Sequence, residues 1–352
     1  MRYLKIIILC SSLLVLGAQA AGPLAFAVGR LPKPEEPSLQ RRGILQPALL
    51  NGLKGRDGGL YYFNVSVGTP GQLQTVSLDT GSSDTIFIAA NFTVYDMYTG
   101  ANSTCEPEPG CPGGTFNETL SSTYKEVVGG LEEGQLDINF ADGTWRAGPY
   151  STDVIQIGDL SITGAQFSLA YEGQTPTNHG SIGLLGLGYA SNEGVIESNG
   201  TLYPNFLETL VHARAIPSRL YSIYLNQIDQ IGSLIFGGID TAKISGPLTT
   251  LSLLAEKGKV TGHFGLNLDE ITASTPDGKT HSFIRSVTNK PQPVLLDIGA
   301  PKWKIPEVAY QQIFAMIGDE ETGSRPCSEV TRGHPNTTHF NLHFSGSGSN
   351  TF

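Results

Sequence analysis

Short apolar runs, each a few residues long and cut off by Gly, Pro, Asn or Asp, dominate the pattern of this chain. Tyr61-Tyr62-Phe63-Asn64-Val65-Ser66-Val67 mixes aromatic and β-branched residues and stops at Gly68-Thr69-Pro70, a turn signal. A second strand is predicted over 75–78, running straight into Asp79-Thr80-Gly81-Ser82-Ser83. Further short strands are predicted over 136–140, 152–157, 222–225, 233–236, 264–268 and 294–296, with turn residues between them. Only 205–213 carries a helical period, through Phe206, Leu207, Leu210 and Val211. The expected fold class is all-β with few helices.

One feature occurs twice. An apolar strand enters Asp-x-Gly at Val76-Ser77-Leu78-Asp79-Thr80-Gly81, and again at Val294-Leu295-Leu296-Asp297-Ile298-Gly299. Two Asp-initiated turns are common by themselves. A strand that delivers a carboxylate to a tight Gly turn once per half instead suggests two related lobes.

Composition agrees with this pattern. The 352 residues allow two domains or one large one; 39% are hydrophobic and 15% charged, enough to bury a core and too few charges for a disordered chain. The 43 Gly and 21 Pro suit many strands and turns better than a helical bundle. The formal charge of −10, with no basic block, argues against a nucleic-acid partner.

Residues 1–20 read as a signal peptide. Arg2 and Lys5 precede an apolar run from Ile6 to Leu16, too short to span a bilayer, and Ala18-Gln19-Ala20 supplies a small-residue cleavage site. No comparable run follows and the tail is polar, so no membrane anchor or lipid-anchor signal is expected. Sequons at Asn64, Asn91, Asn102, Asn117, Asn199 and Asn336 fit a secreted or vacuolar glycoprotein. Cys10 leaves with the signal. Cys105 and Cys111 are expected to close a small disulfide loop, and Cys327 is left over. Segment 21–56 holds three prolines close together and the dibasic Arg41-Arg42, and reads as a propeptide removed near Gly43. An amino-terminal lobe over 57–240 and a carboxy-terminal one over 241–352 complete the expected organisation.

From residue 61 onward the chain resembles the pepsin-like aspartic proteases, the secreted fungal members in particular. YYFNVSVGTPGQLQTVSLDTGSSD resembles the family's opening strands and first catalytic loop, and LDINFADGTWRAGPYSTDVIQIG its flap hairpin. GLLGLG over 183–188, LYSIYLNQIDQIGSLIFGGID and VLLDIGAPKWKIP match in the same order the lobe motif, the lobe's closing stretch and the second catalytic loop. The resemblance implies a bilobal fold and an endopeptidase that holds a peptide or protein substrate in a cleft. Asp79 and Asp297 would be the catalytic pair, supported by Thr80, Gly81, Ser82 and Gly299, with Phe140, Asp142, Gly143 and Thr144 on the flap. It also implies a zymogen, a monomer, an acidic working pH, and neither cofactor nor metal. The chemistry is that of two carboxyls at close range: they cannot both ionise easily, so one activates water while the other keeps a proton.

The sequence departs from the family at named places. Ile298 stands where Ser or Thr is usual, which predicts that Thr80 loses its partner across the pair. Ala300 replaces an outer hydroxyl, Phe140 the usual flap Tyr, and Ile86 that Tyr's Trp partner. Only 55 residues follow Asp297, so the second lobe is expected to be incomplete, with Cys327 lacking a downstream partner. These departures support an alternative reading, a catalytically impaired pseudoprotease or peptide-binding remnant; a glycan-binding β protein has only the sequons behind it. His334, His339 and His343 match no zinc spacing and read as a polar, exposed tail.

Overall fold

A computed structural model describes residues 6–8, 24–30, 61–105, 111–127, 135–158, 160–175, 182–196, 201–224, 232–239, 241, 244, 248–254, 262–274, 278–284, 289–300, 305–317 and 339–345. The chain forms two compact units: one of Leu4–Gly246 with Asp297–Pro301, the other of Met1–Tyr3, Pro247–Leu296 and Lys302–Phe352. The second Asp-x-Gly turn therefore belongs to the larger unit.

The strands of the larger unit are β1 (Ile6–Ile8), β2 (Leu24–Arg30), β3 (Tyr61–Val67), β4 (Gln72–Asp79), β5 (Thr85–Asp96), β6 (Asn102–Thr104), β7 (Lys125–Glu126), β8 (Gln135–Asn139), β9 (Trp145–Ile157), β10 (Leu160–Thr175), β11 (Gly183–Gly186), β12 (Tyr221–Tyr224) and β13 (Gly232–Phe236). All join one sheet, and six of them close a circuit: β3 pairs β4, β4 pairs β11, β11 pairs β5, β5 pairs β10, β10 pairs β9, and β9 returns to β3. Closure gives each of these strands a partner on both sides, which removes exposed edges. β1 pairs β12, and β2 lies between β13 and β3. These two strands fall in the stretches read as leader and propeptide; Arg41 and Arg42 lie outside the described residues.

The core follows from the residues inside this circuit. Val65, Val67, Val76, Leu78, Phe87, Phe167 and Leu169 are buried. The Phe87 and Phe167 rings meet edge-on, with centroids 4.9 Å apart. Each such side chain contributes about 1.5–3 kcal/mol on burial. A neighbouring cluster joins Ile86, Ile88, Phe92, Leu136, Tyr150, Val195 and Tyr203. Helix α1 (Phe206–His212) is capped by Asn205, whose side chain accepts the Glu208 N–H, and buries Phe206, Leu207 and Leu210. The helical period read from the sequence is this helix.

The smaller unit is built on β14 (Gly265–Ser274), paired with β15 (Thr280–Ser282), β16 (Gln292–Leu295) and β17 (His339–Ser345). Helix α2 (Glu307–Ile317) packs Ala309, Ile313 and Met316 on the same cluster as Leu268, Ile271, Phe283 and Ile284. The reading of the histidine-rich end as an exposed tail is corrected over 339–345. Phe340, Leu342 and Phe344 alternate onto the core, and His343 Nε2 lies 2.9 Å from Thr272 Oγ1. His334 and Cys327 lie outside the described residues.

Candidate active site

Strand β4 is buried over its last six residues and ends on Asp79, which is 6% exposed. The chain must turn there without losing backbone hydrogen bonds, and Asp79 supplies one itself: its Oδ1 accepts the Gly81 N–H at 2.7 Å. The second turn repeats this, with the Gly299 N–H donating to Asp297 Oδ1 at 2.7 Å. Each Asp-x-Gly turn is thus closed by its own carboxylate.

The two turns face each other closely. A Cβ added to Gly81 would fall 2.7 Å from Asp297 Oδ2, and one added to Gly299 would fall 2.5 Å from Asp79 Oδ1. Real Cβ atoms do not come so close, so glycine is required at both positions by the opposite carboxyl. Each carboxyl therefore lies against the opposite turn. Burial, and then the Asp297 charge, push the Asp79 carboxyl up to about 6, against opposing hydrogen bonds from Ser82 and the Gly81 N–H. The Ser82 hydroxyl donates to Asp79 Oδ2 at 2.6 Å.

Thr80 corrects one expectation. Its Oγ1 accepts the Ile298 backbone N–H at 3.1 Å, so Ile298 does not cost Thr80 its partner across the pair. The bond uses a main-chain donor that any residue but proline provides. Ile298 is itself buried, and Ala300 is exposed.

The glycines of 183–188 hold the first turn from behind. β11 runs parallel to β4, with Gly186 opposite Asp79. The Leu187 N–H donates to the Asp79 carbonyl at 2.7 Å, the Gly186 N–H to that of Asp84 at 2.9 Å, and the Gly188 N–H to that of Ser82 at 2.8 Å. A Cβ at Gly186 would lie 2.5 Å from the Asp84 carbonyl oxygen. The motif is a backbone clamp on the 79–84 loop.

The flap residues sit together in one hairpin turn between β8 and β9. The Phe140 N–H donates to the Thr144 carbonyl at 2.8 Å, Gly143 has φ +89°, and Asp142 Oδ1 accepts from both the N–H and the hydroxyl of Thr144. Phe140 packs against the apolar cluster that contains Ile86. The hydroxyl and the indole N–H of the family pattern are thus both replaced by apolar groups of one cluster.

Other predicted residues are placed as follows. Cys105 and Cys111 form a disulfide. Asn91 and Asn102 are exposed, while the Asn64 and Asn117 amide oxygens accept bonds from the Thr75 hydroxyl and the Thr119 N–H. Asn199 and Asn336 lie outside the described residues. Among the described residues no group of three or more His, Cys, Asp or Glu is arranged to hold a metal ion. No helix among them is long and apolar enough to cross a membrane.

Sequence reasoning missed a second set of groups behind the loop: Asp84, Asn192, Glu193 and Gly194, with Tyr150 and Tyr203. Asp84 is fully buried, and its Oδ1 accepts the Tyr150 and Tyr203 hydroxyls at 2.8 and 2.7 Å. The available signal was Asp84 directly after DTGSS and Glu193 five residues past GLLGLG, in a chain with 15% charged residues.

A sheet closed behind two facing carboxyl turns is the arrangement of an aspartic protease. The sequence profile of the eukaryotic aspartyl proteases matches residues 60–348, and the chain belongs to that family. It is 34% identical over 257 residues to the "Probable aspartic-type endopeptidase opsB" of Aspergillus fumigatus, covering 72% of this chain and 48% of that protein. It is 30% identical over 280 residues to barrierpepsin of Saccharomyces cerevisiae, covering 75% of this chain and 46% of that one. Secreted aspartic protease 8 of Candida albicans is 32% identical over 216 residues, covering 61% and 47%. The chain thus spans about half the length of these relatives. The crystal structure of an aspartic proteinase from Irpex lacteus shares the fold, with TM-score 0.60 and 17% identity, over 94% of this chain and 78% of that one.

Proposed function

We propose that this chain is an aspartic endopeptidase that hydrolyses peptide bonds in acid, with Asp79 and Asp297 as its catalytic groups. The observation that carries the reading is the close approach of the two carboxyl turns, each glycine having no room for a Cβ beside the opposite carboxyl; burial and the Asp297 charge raise the proton affinity of Asp79 to about 6. In acid the pair keeps one proton. The ionised member takes a proton from a water whose oxygen bonds to the substrate carbonyl carbon, and the protonated member gives its proton to the carbonyl oxygen. Collapse of the tetrahedral adduct breaks the C–N bond as the carboxyl that took the water's proton gives it to the leaving nitrogen, and the other carboxylate takes back a proton from the adduct's hydroxyl, restoring the pair. This split-proton logic is that known for aspartic proteases and is taken over from them.

Thr80 keeps the two turns in register through the Ile298 N–H. Ser82 stabilises the ionised form of Asp79. The hairpin turn Phe140–Thr144 closes over the bound peptide, with an apolar ring at its base. An unfolded protein or peptide is the substrate class, taken up by a monomer. Passage through the secretory pathway, maturation near Arg41-Arg42, and glycans on the exposed Asn91 and Asn102 complete the reading. The rival reading, a catalytically impaired pseudoprotease or peptide-binding remnant, rested on Ile298, Ala300 and the missing C-terminal strands; of these, Ile298 does not cost Thr80 its partner.

The test is cleavage of a denatured protein at about pH 3–5, where a carboxyl pair can hold a single proton. Cleavage that stops in Asp79→Asn and in Asp297→Asn, and on adding a pepstatin-type inhibitor, is the expected result. Cleavage that survives either substitution overturns the assignment.

A further inference from the structure

Two residues after β11, on either side of Glu193, brace the 79–84 loop. The Asn192 side-chain amide donates to the Gly81 carbonyl at 3.1 Å, and the Gly194 N–H donates to Asp84 Oδ2 at 2.7 Å. Glu193, between them, is 2% exposed. Its Oε2 accepts the Tyr203 N–H at 3.1 Å, while its Oε1 is buried without a hydrogen-bond partner. A carboxylate with a buried oxygen that accepts no hydrogen bond from the protein is costly, whereas a neutral carboxylic acid there costs far less.

The surroundings favour the neutral form. Among the described residues, the titratable groups that bear on Glu193 are Asp84 from the catalytic loop, Tyr150 from β9, Tyr203, and Glu208 from α1. None is a cation, and Glu208 is already paired with Arg219 at 3.1 Å. Burial, and then the charges of Asp84 and Glu208, push the Glu193 carboxyl up to about 9. Burial also raises that of Asp84. Tyr203 binds both acids, giving its N–H to Glu193 and its hydroxyl to Asp84.

We propose that Glu193 is a positioning residue that works only as a neutral acid: protonated, it lets the Asn192–Glu193–Gly194 turn close on Gly81 and Asp84, and ionised, it pries that turn off the catalytic loop. Glu193 touches no reacting atom in this account. The proposal rests on Asp79 being half of the catalytic pair. It adds a control of that site by pH, one that acts well above the acid range of the reaction.

The sign follows from linkage. The folded state binds the Glu193 proton more tightly than the unfolded state, so the contribution is fully present below the ordinary value of 4.5. It is lost progressively as pH rises towards about 9.

Glu193→Gln tests this, because glutamine has the shape of the neutral acid and does not titrate. Thermal unfolding midpoints of the full chain and of the variant are compared from acid to mildly alkaline pH. The two should unfold at similar temperatures near pH 4. The wild-type midpoint should then fall faster with pH, the gap reaching about 5 °C by pH 8. Incubation at that pH, followed by return to acid, should destroy wild-type cleavage about tenfold faster than that of the variant. Parallel curves, or a variant destabilised equally at every pH, overturn the proposal.

If the variant does not accumulate, amide hydrogen exchange in the wild type decides. The Gly194 and Tyr203 amides should lose protection between about pH 5 and 8, after correction for intrinsic rates, and constant protection overturns the proposal. Unfolding midpoints do not depend on turnover. A wild type that never cleaves yet shows the predicted curves therefore sinks the protease reading and leaves the Glu193 switch standing.

Discussion

The Asp79 and Asp297 turns share a backbone and differ in almost everything else. Both close on their own Oδ1 through the glycine two residues on, at the same 2.7 Å. Asp79 is 6% exposed, is bonded by Ser82, and has its carbonyl held from behind by the Leu187 N–H, just past β11. Asp297 is half-buried, and its neighbours Ile298 and Ala300 carry no hydroxyl. The difference separates two jobs. The shared backbone and the opposed glycines bring the carboxyls together; the side chains around Asp79 tune its proton. A turn that keeps its glycine and main-chain bonds can therefore lose its hydroxyls without losing its place.

The largest effect should come from removing either carboxyl. Asp79→Asn and Asp297→Asn should each lower kcat/KM for a denatured protein by about 10³-fold or more, the upper range for losing a general acid or base. If only one of them did, the pair would not act as a unit.

Next come the glycines. Gly81→Ala and Gly299→Ala each place a methyl group against the opposite carboxyl, so both should cost about 1–3 kcal/mol in denaturant unfolding and most of the activity. A tolerated Gly299→Ala would show that the two turns are not as close as described.

Thr80→Val leaves the buried Ile298 N–H without its acceptor, at a cost of about 1–3 kcal/mol in the same unfolding measurement. Ile298→Thr should change kcat/KM far less, because the existing bond uses the backbone. A large gain from that substitution would restore the importance first given to the missing hydroxyl.

The smallest effect is a titration. The Ser82 bond lowers the Asp79 carboxyl. Ser82→Ala should therefore move the alkaline limb of the pH–rate profile upward, by about half a unit to one unit. A downward move would contradict the sign.

Much of this was legible in the chain. The β3, β12 and β13 runs are visible to within a residue, because aromatic and β-branched residues stand between clear turn signals. The paired Asp-x-Gly turns are visible because a repeat betrays itself. The 16-residue β10 escaped notice because its polar and apolar positions lose their alternation where the register shifts against β9. β17 escaped because its histidines drew attention from the period-two spacing of Phe340, Leu342 and Phe344. The Thr80 bond is not legible in the residue type at 298, because its donor is a main-chain N–H. The Asp84 cluster was out of reach. Its phenol donors lie 66 and 119 residues away, and only the closed sheet brings them to one carboxylate.

The most direct test of the shared proton is the pH dependence of kcat/KM for the free enzyme. The account predicts activity confined to acid and lost as pH rises through about 6, where the Asp79 proton leaves. A rate that stayed constant or increased from pH 5 to 8 would mean that residues 79 and 297 hold no such proton between them.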